Sequence, residues 1–176
     1  MDAYVLLKFI HVVAAMLWVG GGLTFLALSA VLGRDIAGQM ALVRIMGRLG
    51  AVMMPASLAV LLSGGVLVWL GEWGFEAWVA VALVSAGASF VLGGAVLKPA
   101  LDRALPLVEA GDASGLASAT PALWRAGRIE QGLHIVTVAM MVIKPEWADL
   151  HLIVAFVALV AAAVIFSGRR GRPALV

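Results

Sequence analysis

Five apolar runs, separated by short polar or proline-marked interruptions, set the pattern of this chain. The first, residues 3–32, is broken by no acidic or basic side chain except Lys8 and His11, and is long enough to cross a hydrocarbon core of about 30 Å with some tilt. The second, residues 50–70, has Pro55 in its first turns, where a missing amide donor costs least, and is closed by a turn over residues 71–74. The third, residues 75–97, stops at Lys98-Pro99, because proline disfavours helix in the residue before it. Ser85, Ser89 and Gly93 recur every four residues in this run and would let a neighbouring helix approach closely. The fourth, residues 121–143, is apolar only from Gly132 onward and begins among headgroups, with Arg125, Arg128 and Glu130 in its first half. The fifth, residues 147–166, follows a tight Lys144-Pro145-Glu146 turn, and Glu146 and Asp149 suit the positive end of its helix dipole. Segments 34–48 and 102–124 mix polar and apolar residues and read as short amphipathic helices on the membrane surface, with a small-residue linker over 110–120. The pattern predicts an all-α, polytopic transmembrane bundle of about five helices forming one domain over residues 1–176.

Composition agrees with a lipid solvent. Of 176 residues 64% are hydrophobic and 12% charged, and the mean hydropathy is +1.09, well outside the range of soluble domains. The first run lacks the basic leader of a cleavable signal and is too long for one, so it reads as a retained helix. The net charge of +2 does not indicate nucleic acid, because the basic residues stand at the ends of apolar runs and not along one polar face. They indicate orientation instead. Arg34, Arg44, Arg48, Lys98, Arg103, Arg125, Arg128, Arg169, Arg170 and Arg172 are ten of the twelve Lys and Arg residues, and a five-helix chain with its N-terminus outside and C-terminus inside puts all ten on the cytoplasmic side. Trp69, Trp73, Trp78 and Trp147 then gather at the outer interface as an aromatic belt.

With no cysteine, a metal or cofactor must be held by His, Met, Lys, carboxylate or backbone ligands. All three histidines fall in or beside apolar runs, where ionisable groups are costly enough to be functional candidates. By helical rise His11 and His134 each lie roughly 12 to 14 Å below the outer surface and His151 roughly 6 Å. Two imidazoles at one depth on different helices form a plausible axial pair for haem b, with Met16, Met140 and Met141 as alternative soft ligands. Ala14, Ala15 and Gly20 to Gly22 would admit a flat ring or a close helix, Trp18 lies two turns from His11 on the same face, and Lys8 can reach a propionate or snorkel to the headgroups. The histidines fit equally well as hydrogen-bonded interior residues. His11, His134 and His151 are also the candidate ligands of a bare metal ion. No residue pair has the spacing of a hydrolytic acid/base pair or nucleophile, and no catalytic residue is assigned.

The stretch Leu7-Lys8-Phe9-Ile10-His11 through Trp18-Val19-Gly20-Gly21, a histidine followed after six residues by Trp-x-Gly-Gly, resembles the His-containing helix of a loose group of small bacterial membrane proteins. The group includes CopD-type copper resistance proteins, HemJ-type protoporphyrinogen oxidases and uncharacterised predicted integral membrane proteins, the last being the most similar in layout. The Lys144-Pro145 step after a late apolar run belongs to that layout. The HemJ resemblance implies haem b on His11 and porphyrinogen oxidation, although Lys98 and Lys144 match poorly the later-helix lysine of that pattern. The CopD resemblance implies copper handling. As a whole the resemblance implies a multi-pass protein of the bacterial cytoplasmic (inner) membrane. The leading expectation is a b-type haem protein with an electron-transfer or redox role, acting with a membrane redox partner or as a homo-oligomer. The alternatives are copper or other metal transport, and a non-catalytic subunit or assembly factor.

Overall fold

Helix starts are marked by aspartates. Asp2, Asp35 and Asp112 each accept a backbone N–H of the first turn, from Tyr4 at 3.1 Å, Gly38 at 2.7 Å and Gly115 at 2.9 Å. A computed structural model describes residues 2–33 and 35–167, which fold into α1 (Ala3–Leu32), α2 (Ile36–Leu70), α3 (Ala77–Leu92), α4 (Lys98–Glu109), α5 (Ala113–Ile143) and α6 (Leu150–Ser167). A π-helical turn over Gly93–Leu97 joins α3 to α4, and a 3-10 turn over Trp147–Asp149 precedes α6. The described residues contain no strand. Arg34, Arg169, Arg170 and Arg172 of the charge count lie outside the described residues.

Because α3, the π turn and α4 are continuous, the described residues form five rods. Four of them are long and apolar enough to cross a membrane: Ala3–Leu32, Ile36–Leu70, Ala77–Glu109 and Trp147–Phe166. The fifth, α5, has 31 residues but carries Arg125, Arg128 and Glu130 in mid-course. The chain runs up and down between two ends. One holds the start of α1, the 71–76 loop and the 144–149 turn, and is here called the tryptophan end. The other, the arginine end, holds the end of α1, the start of α2 and the 110–112 connection.

Two boundaries depart from the hydropathy pattern. Segment 36–48 is not a separate surface helix but the first third of α2, which passes through Pro55. No proline stands between Gln39 and Ala51, Gly47 and Gly50 lie inside the helix without ending it, and Met40, Val43 and Met46 pack in one cluster with Leu101, Ala104 and Val108 of α4. Likewise the third run does not end at Lys98-Pro99. The turn before it widens, so that the Lys98 N–H reaches back to the Gly93 carbonyl, and a widened turn can carry a proline within a continuing helix. Segment 102–124 accordingly divides between α4 and the first turns of α5.

Packing centres on α5, which touches α1, α3, α4 and α6. At the arginine end Val43, Leu101, Ala104, Val108, Leu116 and Leu123 form one core. At the tryptophan end Trp78, Val79, Ala82, Val136, Met140 and Ile153 form another. Between them Ala14, Trp18, Ala56, Val60 and Ala86 join α1, α2 and α3. Ile153 is the one buried hydrophobic residue of α6, and the remaining apolar face suits lipid. Of the four tryptophans expected in an interfacial belt, Trp69 and Trp147 are exposed, whereas Trp78 is buried, its ring tilted against that of Trp73 with centroids 5.2 Å apart. Trp147 Nε1 donates to the Phe75 carbonyl at 2.9 Å and ties the two tryptophan-end connections together.

The Gly115 N–H and then the Ser114 hydroxyl, both donating to Asp112, hold its carboxyl below the usual carboxylate range. This cap therefore stabilises the start of α5 at neutral pH and is lost as pH falls through the depressed value. Hydrogen exchange tests it: Asp112→Ala should speed amide exchange over residues 113–118 at pH 7, and the difference from wild type should vanish once the pH is below the folded-state value. Equal exchange at pH 7 would count against the cap.

Candidate functional site: two cavities divided by Trp18

Polar groups buried in a bundle have only one another to bond to, and here they line the α3/α5 contact. The small-residue stripe of α3 is where α5 approaches. Ser85 Oγ lies 2.9 Å from Thr137 Oγ1, and one turn away Ser89 Oγ donates to Glu130 Oε1 at 3.3 Å and lies 3.1 Å from His134 Nε2. Since the Ser89 hydrogen is directed to the carboxylate, its oxygen accepts from His134 Nε2–H. His134 Nδ1 is then a lone-pair acceptor, and this buried atom has no partner. Trp18 of α1 meets the imidazole edge-on, with ring centroids 4.2 Å apart, so His134 is closed in and only 2% exposed.

His11 stands in a different setting. Its Nδ1 is 2.9 Å from Ser63 Oγ on α2. The Ser63 hydroxyl donates back along its own helix to the Ala59 carbonyl, with Val60 as a longer second acceptor. Ser63 therefore accepts from His11 Nδ1–H, which leaves Nε2 with its lone pair and with no hydrogen-bond partner among the described residues. Gly64 makes this approach possible: a side-chain carbon there would sit 3.1 Å from His11 Cε1.

Two cavities lie between the helices. The larger, of about 710 Å³, is walled by α1, α2, α3 and α5 and includes His11, Met16, Trp18, Thr137 and Met141. Tyr4, Lys8 and Lys144 line its tryptophan end, where the Lys144 ammonium lies over the Trp73 and Trp78 rings at 5.6 and 5.2 Å. The smaller, of about 400 Å³, extends toward the arginine end and includes Ser89, Glu130, Gln131 and His134. Lys98 and Asp102, paired at 2.7 Å and exposed, also line it. Trp18 lines both.

The expected site residues therefore separate. His11, Lys8 and Trp18 share the larger cavity, and His134 shares only Trp18 with them. Met16 and Met141 stand on the larger wall, and Met140 is packed in the tryptophan-end core. His151 is exposed on α6, and no group of three or more His, Cys, Asp or Glu side chains that could hold a metal exists among the described residues. Gly22 receives the Gln131 amide and Gly21 the Met53 sulfur, so these glycines admit neighbouring helices, while Gly20 lines the larger cavity. Ser63, Ser89, Glu130 and Gln131 were not anticipated. Glu130 had a signal in the sequence, its i, i+4 spacing from His134, which puts both on one helix face.

No protein-family model, curated protein or solved structure matches this chain. What the site can do therefore rests on its own geometry.

The two serines impose opposite tautomers on the two histidines. Imidazole ¹⁵N spectra of the protein in detergent at neutral pH should show His11 protonated at Nδ1 and His134 at Nε2. Ser63→Ala should remove the preference at His11 alone. Identical tautomers at both residues would contradict the assignment.

Proposed function

We propose that the chain is a small membrane b-type haem-binding protein with a redox role, in which His11 would hold the haem within the larger cavity. The observation that carries the reading is the 2.9 Å contact of His11 Nδ1 with Ser63 Oγ, whose own hydroxyl hydrogen is directed to the Ala59 carbonyl. An imidazole held at Nδ1 by an acceptor, with a free Nε2 on the wall of an apolar cavity, is the form in which histidine ligates a metal, and the bond at the other nitrogen fixes the ring. The residues present fit the group. A volume of about 710 Å³ falls in the roughly 300–1,000 Å³ range of cofactor pockets. Lys8 and Lys144, both on this wall, would meet the two propionates, while apolar side chains and Trp18 would cover the ring.

Bound haem supplies one-electron chemistry. The chain's own residues do the rest: Ser63 orients His11, Gly64 gives the imidazole room, and Met16 and Met141 offer thioethers on the same wall. Either thioether would be a second group able to hold the haem beside His11. His134 does not line this cavity, which favours His11 alone over the bis-histidine pair.

Absorption spectra of protein purified in mild detergent, before and after dithionite, test the reading. Wild type should show a Soret band and a sharpened α band on reduction, His11→Ala should lose them and His134→Ala should keep them. A colourless wild type, still colourless after haem supplementation, would sink the proposal.

A further inference from the structure

The smaller cavity has a chemistry of its own. One part of its wall carries hydrogen-bond acceptors that no protein donor reaches. Gln131 Oε1 and His134 Nδ1 are buried without a partner, and the Glu130 carboxylate has one serine donor, at Oε1. His134 and Gln131 are 2% and 7% exposed, so water outside the bundle does not compensate them. Leaving such groups unmatched costs on the order of 1–3 kcal/mol each, and the expense is sustained most readily where a ligand supplies the missing donors. No Lys or Arg side chain pairs with Glu130 within salt-bridge distance among the described residues, whose ion pairs are Lys98 with Asp102 and the 3.8 Å approach of His134. Away from the exposed Lys98–Asp102 pair the wall is mostly apolar, with leucines beside Trp18, Phe25 and Phe90 and the thioethers of Met53 and Met54. Aromatic faces and polarisable sulfur favour a planar aromatic ring over an alkyl chain.

We infer that this cavity binds a lipid-soluble aromatic diol of the hydroquinone class, its ring against Trp18 and the phenylalanines, its hydroxyls donating to the Glu130 carboxylate and, once the closely packed Gln131 and His134 side chains turn toward the ring, to their unpartnered acceptors. A dication would find one carboxylate and one imidazole, with no third His, Cys, Asp or Glu converging among the described residues. An aromatic diol matches both halves of the wall. The π turn serves the same place: Gly93 lies beside the carboxylate, and a side-chain carbon there would stand 3.7 Å from Glu130 Oε1, so its lack of a side chain keeps the wall open. The inference does not require haem in the other cavity, although Trp18, shared by both, would bring the diol close to it.

The test is equilibrium binding to the full chain in nanodiscs, kept anaerobic, with trimethylhydroquinone and its dimethyl ether as probes. The ether keeps the ring and removes both donors. Wild type should bind the diol saturably and the ether about 10-fold or more weakly, the loss expected for a hydrogen bond to a charged or otherwise unpaired buried group. Gln131→Leu, checked for helicity by circular dichroism, should weaken the diol by a similar factor and leave the ether unchanged. Equal affinities for diol and ether on wild type, no saturable binding of either, or a folded Gln131→Leu that binds the diol as wild type does would each overturn the inference. The wild-type comparison needs no variant, so a misfolded mutant does not protect the idea. Spectra of the same samples separate the two readings: diol binding by a colourless protein removes only the haem proposal, and a haem-loaded protein without selective diol binding removes only this one.

Discussion

The structure depends on how polar side chains find partners where no water is available. Along the α3/α5 contact one hydroxyl, that of Ser89, serves both Glu130 and His134, and a second, that of Ser85, meets Thr137. In hydrocarbon an unpaired polar group costs several kcal/mol, so these bonds fix the rotation of α5 against α3 more strictly than the alanine and valine contacts around them. That rotation puts His134 under Trp18, and α1 docks on the result. The same constraint acts between α1 and α2, where Ser63 holds His11. Both histidines are thus held by serines on a neighbouring helix, and the serine's own hydrogen bond decides which ring nitrogen is left free.

From this follows a division of the interior. The larger cavity has basic residues at one end, a free imidazole nitrogen and mostly apolar walls. The smaller has acceptors without donors and aromatic walls. Trp18, 3% exposed, lines both and stands between a cavity with a free imidazole nitrogen and one with unpartnered hydrogen-bond acceptors. A protein with these two rooms is suited to bring a bound redox group and a lipophilic partner within a side chain's width of each other, which is the physical content of the haem and hydroquinone proposals taken together.

The helical character of the chain was legible in its sequence because in lipid each span must satisfy its backbone internally, and the four most apolar rods correspond to hydrophobic runs. Their ends were less legible. Pro99 is a stop signal in an ordinary helix, and only the widened turn at Gly93–Leu97 lets the rod continue; nothing in the local pattern separates that case from a true end. The fusion of 36–48 to α2 depends on contacts with α4, more than fifty residues away. That His11, Lys8 and Trp18 share one face was legible from their spacing, and they line one cavity. The roles of Ser63 and Ser89 were not legible, because a serine among small residues reads as packing until its partner across the interface is known. Matching depth drew His11 and His134 together, but depth says nothing of which way each side chain turns, and a tryptophan stands between the cavities they line.

The central claim is that His11 Nε2 is a metal-ligating atom. Chemical rescue tests it most directly: His11→Gly, purified with haem present, should bind none, and added imidazole, filling the space left by the side chain, should restore about one haem per chain. Haem retained by His11→Gly without imidazole would contradict the account.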